Sequence, residues 1–196
     1  MQIDTAHLHH WMQAIRQSPD PMRTLDAFWL GQIRSKEWLL ENLRSEINEP
    51  ATVEIHGGWV GVLASMLFQS GIPVTHITSI DIDPECEPIA TTMNKQEEIQ
   101  GRFRAAVADM TTYRSRADVI INTSCEHITQ EDYDQWISAI PKSSLVVLQS
   151  TNYDIPEHVR TASSLNEFVK QSHLDVVQAA ELETAMYKRF MIIGKK

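Results

Sequence analysis

The sequence predicts an α/β protein: a mostly parallel sheet with helices on both faces, an antiparallel strand pair at its end, and a helical segment in front. Three observations carry this. From residue 51 onward, short β-branched runs alternate with segments of helical period, as in parallel strands joined by crossover helices. The last two strand patterns have no helix between them, so they must pair antiparallel at the sheet edge. The first fifty residues hold no β-branched run; there Leu25, Phe28, Trp29, Ile33, Leu39, Leu40, Leu43 and Ile47 recur at steps near three and four, a helical stripe.

In chain order, a short amphipathic helix is expected over 5–15. Asp20 before Pro21 reads as an N-cap followed by a first-turn proline, and Asn48-Glu49-Pro50 ends the helical stripe, with Gly31 as its expected break. A strand over 51–55 runs into Gly57-Gly58, and a helix over 60–69 is closed by Gly71 and Pro73. A second strand covers 74–82, a helix 84–99 and a third strand 103–108. Residues 117–122 form a fourth strand whose near-continuous apolar character suits burial on both faces. A helix over 131–139, a strand over 144–149, a helix over 162–171, and strands over 174–181 and 187–193 complete the pattern. The composition shift at residue 50 divides the chain into a helical cap, 1–50, and a sheet domain, 51–196.

Bulk properties bound the function. The 196 residues are 42% apolar and 22% charged, which excludes a disordered or collagen-like chain. Such a length buries roughly 70% of its unfolded surface without staples. Seventeen basic against 26 acidic residues give a net charge of −9, a field that repels phosphate backbones, so no nucleic-acid partner is expected. Cys86 and Cys125 lack CxxC spacing and read as reduced thiols. No basic-then-apolar leader is visible at the start, and no apolar run nears the ~18 residues of a membrane span. A cytoplasmic protein with no membrane partner is the expectation.

In open parallel sheets ligands bind beyond the carboxyl ends of the strands. After the first strand stands Glu54-Ile55-His56-Gly57-Gly58-Trp59-Val60-Gly61, a turn that lets a ligand approach the backbone ahead of a helix N-terminus. After the second stands Asp81-Ile82-Asp83-Pro84-Glu85. Asp81 lies 20 residues beyond Gly61, the spacing at which dinucleotide-type sites place a ribose-binding acid. Asp83 fits helix capping. After the third, Asp109 and Met110 offer a carboxylate for an adenine amino group and a soft side chain for its ring. After the fourth, Asn122-Thr123-Ser124-Cys125-Glu126-His127-Ile128 is an unusually polar exit, and Gln149-Ser150-Thr151-Asn152-Tyr153 is another after the fifth.

The ordered set Glu54…Gly58, Asp81 to Glu85, Asp109, then Asp118-Val119-Ile120-Ile121 leading to Glu126-His127-Ile128, resembles the Rossmann-like (class I) S-adenosylmethionine (SAM)-dependent methyltransferases from about residue 51 to the C-terminus. The resemblance implies a seven-stranded sheet with its last strand antiparallel, and SAM as cofactor. It implies that Glu54, His56, Gly57, Gly58 and Trp59 surround the methionyl part, that Asp81 with Ile82 binds the ribose, and that Asp109 with Met110 meets the adenine. Asn122 and Ser124 complete the cofactor set. The family's usual first motif, acid-x-Gly-x-Gly-x-Gly, is met only at Gly58; His56 and Val60 stand at the other two glycine positions, with Gly57 and Gly61 displaced beside them. Histidine tolerates positive φ better than most residues, so His56 is expected to keep the turn's shape.

Methyl transfer is an in-line displacement on an activated carbon, so the protein mainly aligns the nucleophile and excludes water. A protonated acceptor needs a nearby base, and His127 and Glu126, with Tyr153, are the expected catalytic residues. Asn152, together with Trp29 and Arg34 from the helical segment, is expected to hold a small-molecule substrate; Trp11, Phe28 and Trp38 add to an aromatic area larger than fifty residues need for their own packing. His7, His9 and His10 do not share a helix face, so no metal is expected, and a solvated N-terminal face is. Glu97 and Glu98, and Arg102, Arg104, Arg114 and Arg116, read as solvated surface. Two rivals share the fold: an enzyme that transfers or cyclises the aminocarboxypropyl part of SAM, to which the altered glycine turn points, and a non-catalytic SAM-binding protein. A nicotinamide dehydrogenase fits least, because its glycine fingerprint is poor and two antiparallel strands close the sheet.

Overall fold

The computed structural model describes residues 5–196; the expectation about a leader at residues 1–4 lies outside them. Seven strands form one sheet in the order β3-β2-β1-β4-β5-β7-β6, parallel except for the last strand, β7. The chain divides into two compact units, Met1–Asp109 and Met110–Lys196.

The first unit opens with α1 (Thr5–Gln17), α2 (Pro21–Asp26) and α3 (Leu30–Leu43). Asp20 caps α2 as expected, its side chain accepting the Arg23 amide at 3.0 Å. The break in the stripe falls before Gly31, which lies within α3. Phe28 and Trp29 donate their amides three residues back, to Leu25 and Asp26, and these tight turns end α2 early. The buried face of α1 runs through His7, Trp11, Ala14 and Ile15, and the Trp11 indole donates to Ser65 Oγ at 3.0 Å. Two expectations of solvated charge are therefore corrected. His7 and Glu97 are both buried and lie 2.9 Å apart, because His7 stands one turn before Trp11 on the docking face.

The rest of this unit is β1 (Ala51–His56), α4 (Val62–Gln69), β2 (Val74–Asp81), α5 (Cys86–Met93), α6 (Lys95–Ile99) and β3 (Phe103–Val107). β1 runs parallel to β2, and β2 to β3, with Asp81 in register with Val107. The single helix expected over 84–99 is interrupted at Asn94, whose side-chain amide donates to the carbonyls of Gly61 and Ala90, each at 3.0 Å.

The second unit comprises β4 (Val119–Asn122), a 3₁₀ turn (Cys125–His127), α7 (Gln130–Ala139), β5 (Leu145–Thr151), α8 (Leu165–Ser172), β6 (Asp175–Glu183) and β7 (Lys188–Lys195). β5 outlasts its expected end at Gln149: Ser150 and Thr151 remain in the sheet opposite Phe190 and Arg189 of β7. Only Asn152 and Tyr153 of that polar run leave the strand. Tyr133, Trp136, Phe168 and Phe190 anchor this unit's core. Both cysteines are free and buried, and burial pushes each thiol up to about 12. Among the described residues, no helix is long and apolar enough to cross a membrane.

Candidate functional site

In the first unit, the carboxyl ends of three parallel strands are knotted together by backbone hydrogen bonds. Gly58 donates its amide to Ile80 O at 2.9 Å, and Ala108 donates to Asp81 O at 3.0 Å. At the centre sits the half-buried Asp81: one carboxylate oxygen accepts the Trp59 amide at 2.8 Å, the other the Asp83 amide at 3.0 Å. Asp81 thus ties the turn after β1 to the end of β2. Asp109, exposed, follows Val107, the register partner of Asp81, by two residues.

The turn itself departs from expectation at His56. Positive φ occurs at Gly57 (66°), Trp59 (49°) and Gly61 (81°), not at His56, which is the last residue of β1 and fully buried. His56 Nε2 lies 3.7 Å from a carboxylate oxygen of buried Glu54, two residues back on the same strand face. Gly58 is required for space: a Cβ there would fall 2.0 Å from Ser79 Oγ. Ile82 is exposed beside Asp81. Arg23 of α2 reaches Asp83 at 2.6 Å and Glu85 at 3.7 Å. The Glu85 amide, followed by this guanidinium, lowers the Asp83 carboxyl below its usual range. Trp29, 72% exposed, precedes α3, and Arg34 lies exposed on it. The Trp11 and Phe28 rings are 5.6 Å apart.

In the second unit, the exit from β4 is held by side-chain hydrogen bonds and an ion pair. Asn122 is buried; its side-chain Oδ1 accepts the Ser124 amide at 2.8 Å and its side-chain Nδ2 lies 3.6 Å from Met110 Sδ. Glu126 is buried and ion-paired with Arg189 of β7, which also donates to Thr123 O at 2.7 Å. His127 is exposed, and its ring meets that of His158 edge-on at 4.8 Å. Tyr153 lies 6.0 Å from His158 and stacks on Tyr187 at 5.2 Å. Asn152 accepts the Lys188 amide at 2.7 Å, closing the β5–β7 ladder. Glu126 and His127 are thus brought near Tyr153 through His158, whereas Asn152 is engaged in strand pairing.

No protein-family model and no curated protein matches the sequence. Solved structures do match. Magnesium protoporphyrin IX methyltransferase (ChlM) from Synechocystis PCC 6803 with bound SAH aligns with TM-score 0.69 and 14% identity, over 97% of this chain and 94% of that one. N-methyltransferase NodS from Bradyrhizobium japonicum WM9 in complex with S-adenosyl-L-homocysteine (SAH) gives TM-score 0.66 and 14% identity over 95% and 98%. MtNAS in complex with MTA and tNA gives TM-score 0.65 and 12% identity over 97% and 70%. This chain has the Rossmann-like fold of class I SAM-dependent methyltransferases.

Within that methyltransferase fold, three site-proximal residues escaped the sequence. Arg189 sits inside an apolar strand pattern, and its charge there was the available signal: an arginine in a buried strand needs a carboxylate. His158 lies in a stretch without periodicity. Arg23 was overlooked because a single charge in a short helix normally faces water.

Proposed function

We propose that this chain is a SAM-dependent methyltransferase acting on a small-molecule acceptor through an N, O or S nucleophile. The observation that carries the reading is Asp81: a half-buried carboxylate at the end of β2, held by two backbone amides, one on each oxygen. Each oxygen keeps a lone pair directed elsewhere, which is the acceptor set that two adjacent ribose hydroxyls, as donors, require. Asp109 and Met110 suit an adenine, and Gly58, whose missing side chain makes room for Ser79 Oγ, keeps the turn after β1 tight against β2 beside Asp81. Glu54, His56, Gly57, Trp59, Ile82, Asn122 and Ser124 are assigned to the same cofactor. SAM supplies a methyl carbon already activated by its sulfonium. ChlM and NodS, described with SAH bound, support the assignment by fold.

Glu126, His127 and Tyr153 are assigned to the acceptor end, with Trp29, Arg34 and Asn152 as substrate contacts. His127 is the exposed member of its cluster, and its Nδ1 lies 3.1 Å from the Glu157 carbonyl. A carbonyl only accepts, so Nδ1 carries the proton and Nε2 keeps a lone pair for a proton from the nucleophile. A cytoplasmic location and the division of the chain at residue 50 belong to the same reading.

A second reading is favoured by the displaced glycines and the likeness to MtNAS, described in complex with MTA: transfer or cyclisation of the aminocarboxypropyl group. Product analysis separates the two. Incubation with SAM and candidate acceptors is expected to release S-adenosylhomocysteine. Release of methylthioadenosine would assign the chain to the second reading, and binding of SAM without turnover to a non-catalytic role.

A further inference from the structure

We propose that Glu126, His127 and His158 form a binding site for one divalent first-row transition-metal ion. One potential ligand atom from each of the three lies within 4.8 Å of the other two. Two imidazoles and a carboxylate are a donor set suited to zinc, iron(II) or manganese, with coordination positions left open for other ligands.

Three further features distinguish this cluster from a chance grouping. Both histidines are oriented from behind by backbone carbonyls: His127 Nδ1 lies 3.1 Å from Glu157 O, and His158 Nδ1 lies 2.6 Å from Tyr153 O. Both Nδ1 atoms therefore carry protons, and both Nε2 atoms present lone pairs, the arrangement that fixes a ligating histidine's tautomer and direction. Glu126 is 4% exposed, and while one of its oxygens is paired with Arg189, the other is buried without a hydrogen-bond partner. A buried, unpartnered carboxylate oxygen is costly, and a cation would supply its missing partner. The burial also grades outward, from Glu126 (buried) through His158 (half-buried) to His127 (exposed), so an ion seated here would have solvent or substrate on one side.

Ligand atoms around a tetrahedral zinc ion stand about 3.4 Å apart at bond lengths near 2.1 Å. The cluster therefore has to contract by up to about 1.4 Å on binding an ion. Arg189 does not oppose the ion outright. It holds one oxygen of Glu126, and its own position is fixed by Thr123 O at 2.7 Å, leaving the other oxygen to the metal. With an ion bound, the Nε2 lone pair of His127 is committed to it and no longer accepts the proton of the nucleophile, so the ion-free and ion-loaded chains differ in the base available to the acceptor. That catalytic consequence rests on the acceptor-end assignment above; binding of the ion does not.

The test uses the full chain, freed of metal by a chelator, titrated with Zn2+ by calorimetry and with Co2+ by visible absorption, without SAM. One equivalent is expected to bind, with histidine-type Co2+ bands. His127→Ala and His158→Ala are each expected to weaken binding tenfold or more, and His9→Ala to leave it unchanged. Since His127 is exposed, its variant retains the parent fold, which far-UV circular dichroism checks. Absence of stoichiometric binding, equal affinity in His127→Ala and parent, or loss of binding in His9→Ala would each overturn the proposal. SAM binding, measured separately, reports on the cofactor reading whatever the metal result.

Discussion

Arg189→Met removes the cation that neutralises Glu126 while keeping a flexible apolar side chain in β7. The side chains of the pair are 10% and 5% exposed, so the lost attraction is scarcely screened by water. Removing one partner of a buried ion pair costs about 3–5 kcal/mol, because the remaining charge stays desolvated. Thr123 also loses the hydrogen bond that Arg189 gives its carbonyl at 2.7 Å. For a chain of this length, each kcal/mol moves Tm by about 2–4 °C, so a fall of about 6–20 °C is expected. Replacing both partners, Glu126→Leu with Arg189→Met, removes the stranded charge, and the double variant should recover at least half of the loss. Urea denaturation of the parent, both single variants and the double variant closes the cycle. A loss below about 1 kcal/mol for Arg189→Met, in the range of an exposed pair, would refute the assignment of this pair as a buried one. So would a double variant no more stable than the worse single one.

Gly58→Ala places a Cβ 2.0 Å from Ser79 Oγ and should cost about 1–3 kcal/mol by overpacking; adding Ser79→Ala, which leaves only the 3.3 Å contacts to Ile55 O and the residue 79 Cβ, should restore most of the loss in thermal melts. Asp83 has its pKa lowered in the folded protein, so its contribution to stability is present above the usual carboxylate range and disappears as pH falls through the lowered value. Urea midpoints of Asp83→Asn should therefore lie slightly below those of the parent at pH 7 and converge with them in strong acid, with a difference of under about 1 kcal/mol since the Arg23 and Asp83 side chains remain 42% and 28% exposed to screening water. With both thiols pushed up to about 12 and buried, native protein at pH 8 should resist iodoacetamide and expose two reactive thiols only on unfolding; prompt labelling would contradict the burial. Trp29→Ala should leave the unfolding free energy within about 0.5 kcal/mol of the parent, as befits an exposed residue, yet raise the KM for the acceptor; unchanged kinetics would remove Trp29 from the substrate contacts.

The sheet was legible because its strands are short β-branched runs and its crossovers carry a clean apolar period; all seven strands and the antiparallel end follow from that alternation. Asp20 was legible as a cap for the same local reason. What escaped depends on contacts distant in sequence. Nothing near Asn94 announces that its side chain will bind Gly61 O, 33 residues earlier, and split a helix. His7 and Glu97 look like surface charges until α1 docks and buries them together. At the strand ends, Asp81 was recognisable from its spacing to the turn, but its grip on the Trp59 amide, which sets the shape of that turn, was not. The positive φ falls on Trp59 rather than His56 because β1 holds His56 in an extended ladder opposite Ile80. Arg189 and His158 join Glu126 and His127 only through the β5–β7 pairing and the loop beyond β5, which no local pattern encodes.

The central claim is that Asp81 and Asp109 hold the two ends of an adenosine. Isothermal calorimetry of the parent, Asp81→Asn and Asp109→Ala with SAM, SAH, methylthioadenosine and NAD tests it most directly. The parent is expected to bind SAM and SAH and not NAD, and each variant to weaken SAM binding tenfold or more while keeping the parent's circular dichroism. Preference for NAD, or SAM affinity in Asp81→Asn equal to that of the parent, would contradict it.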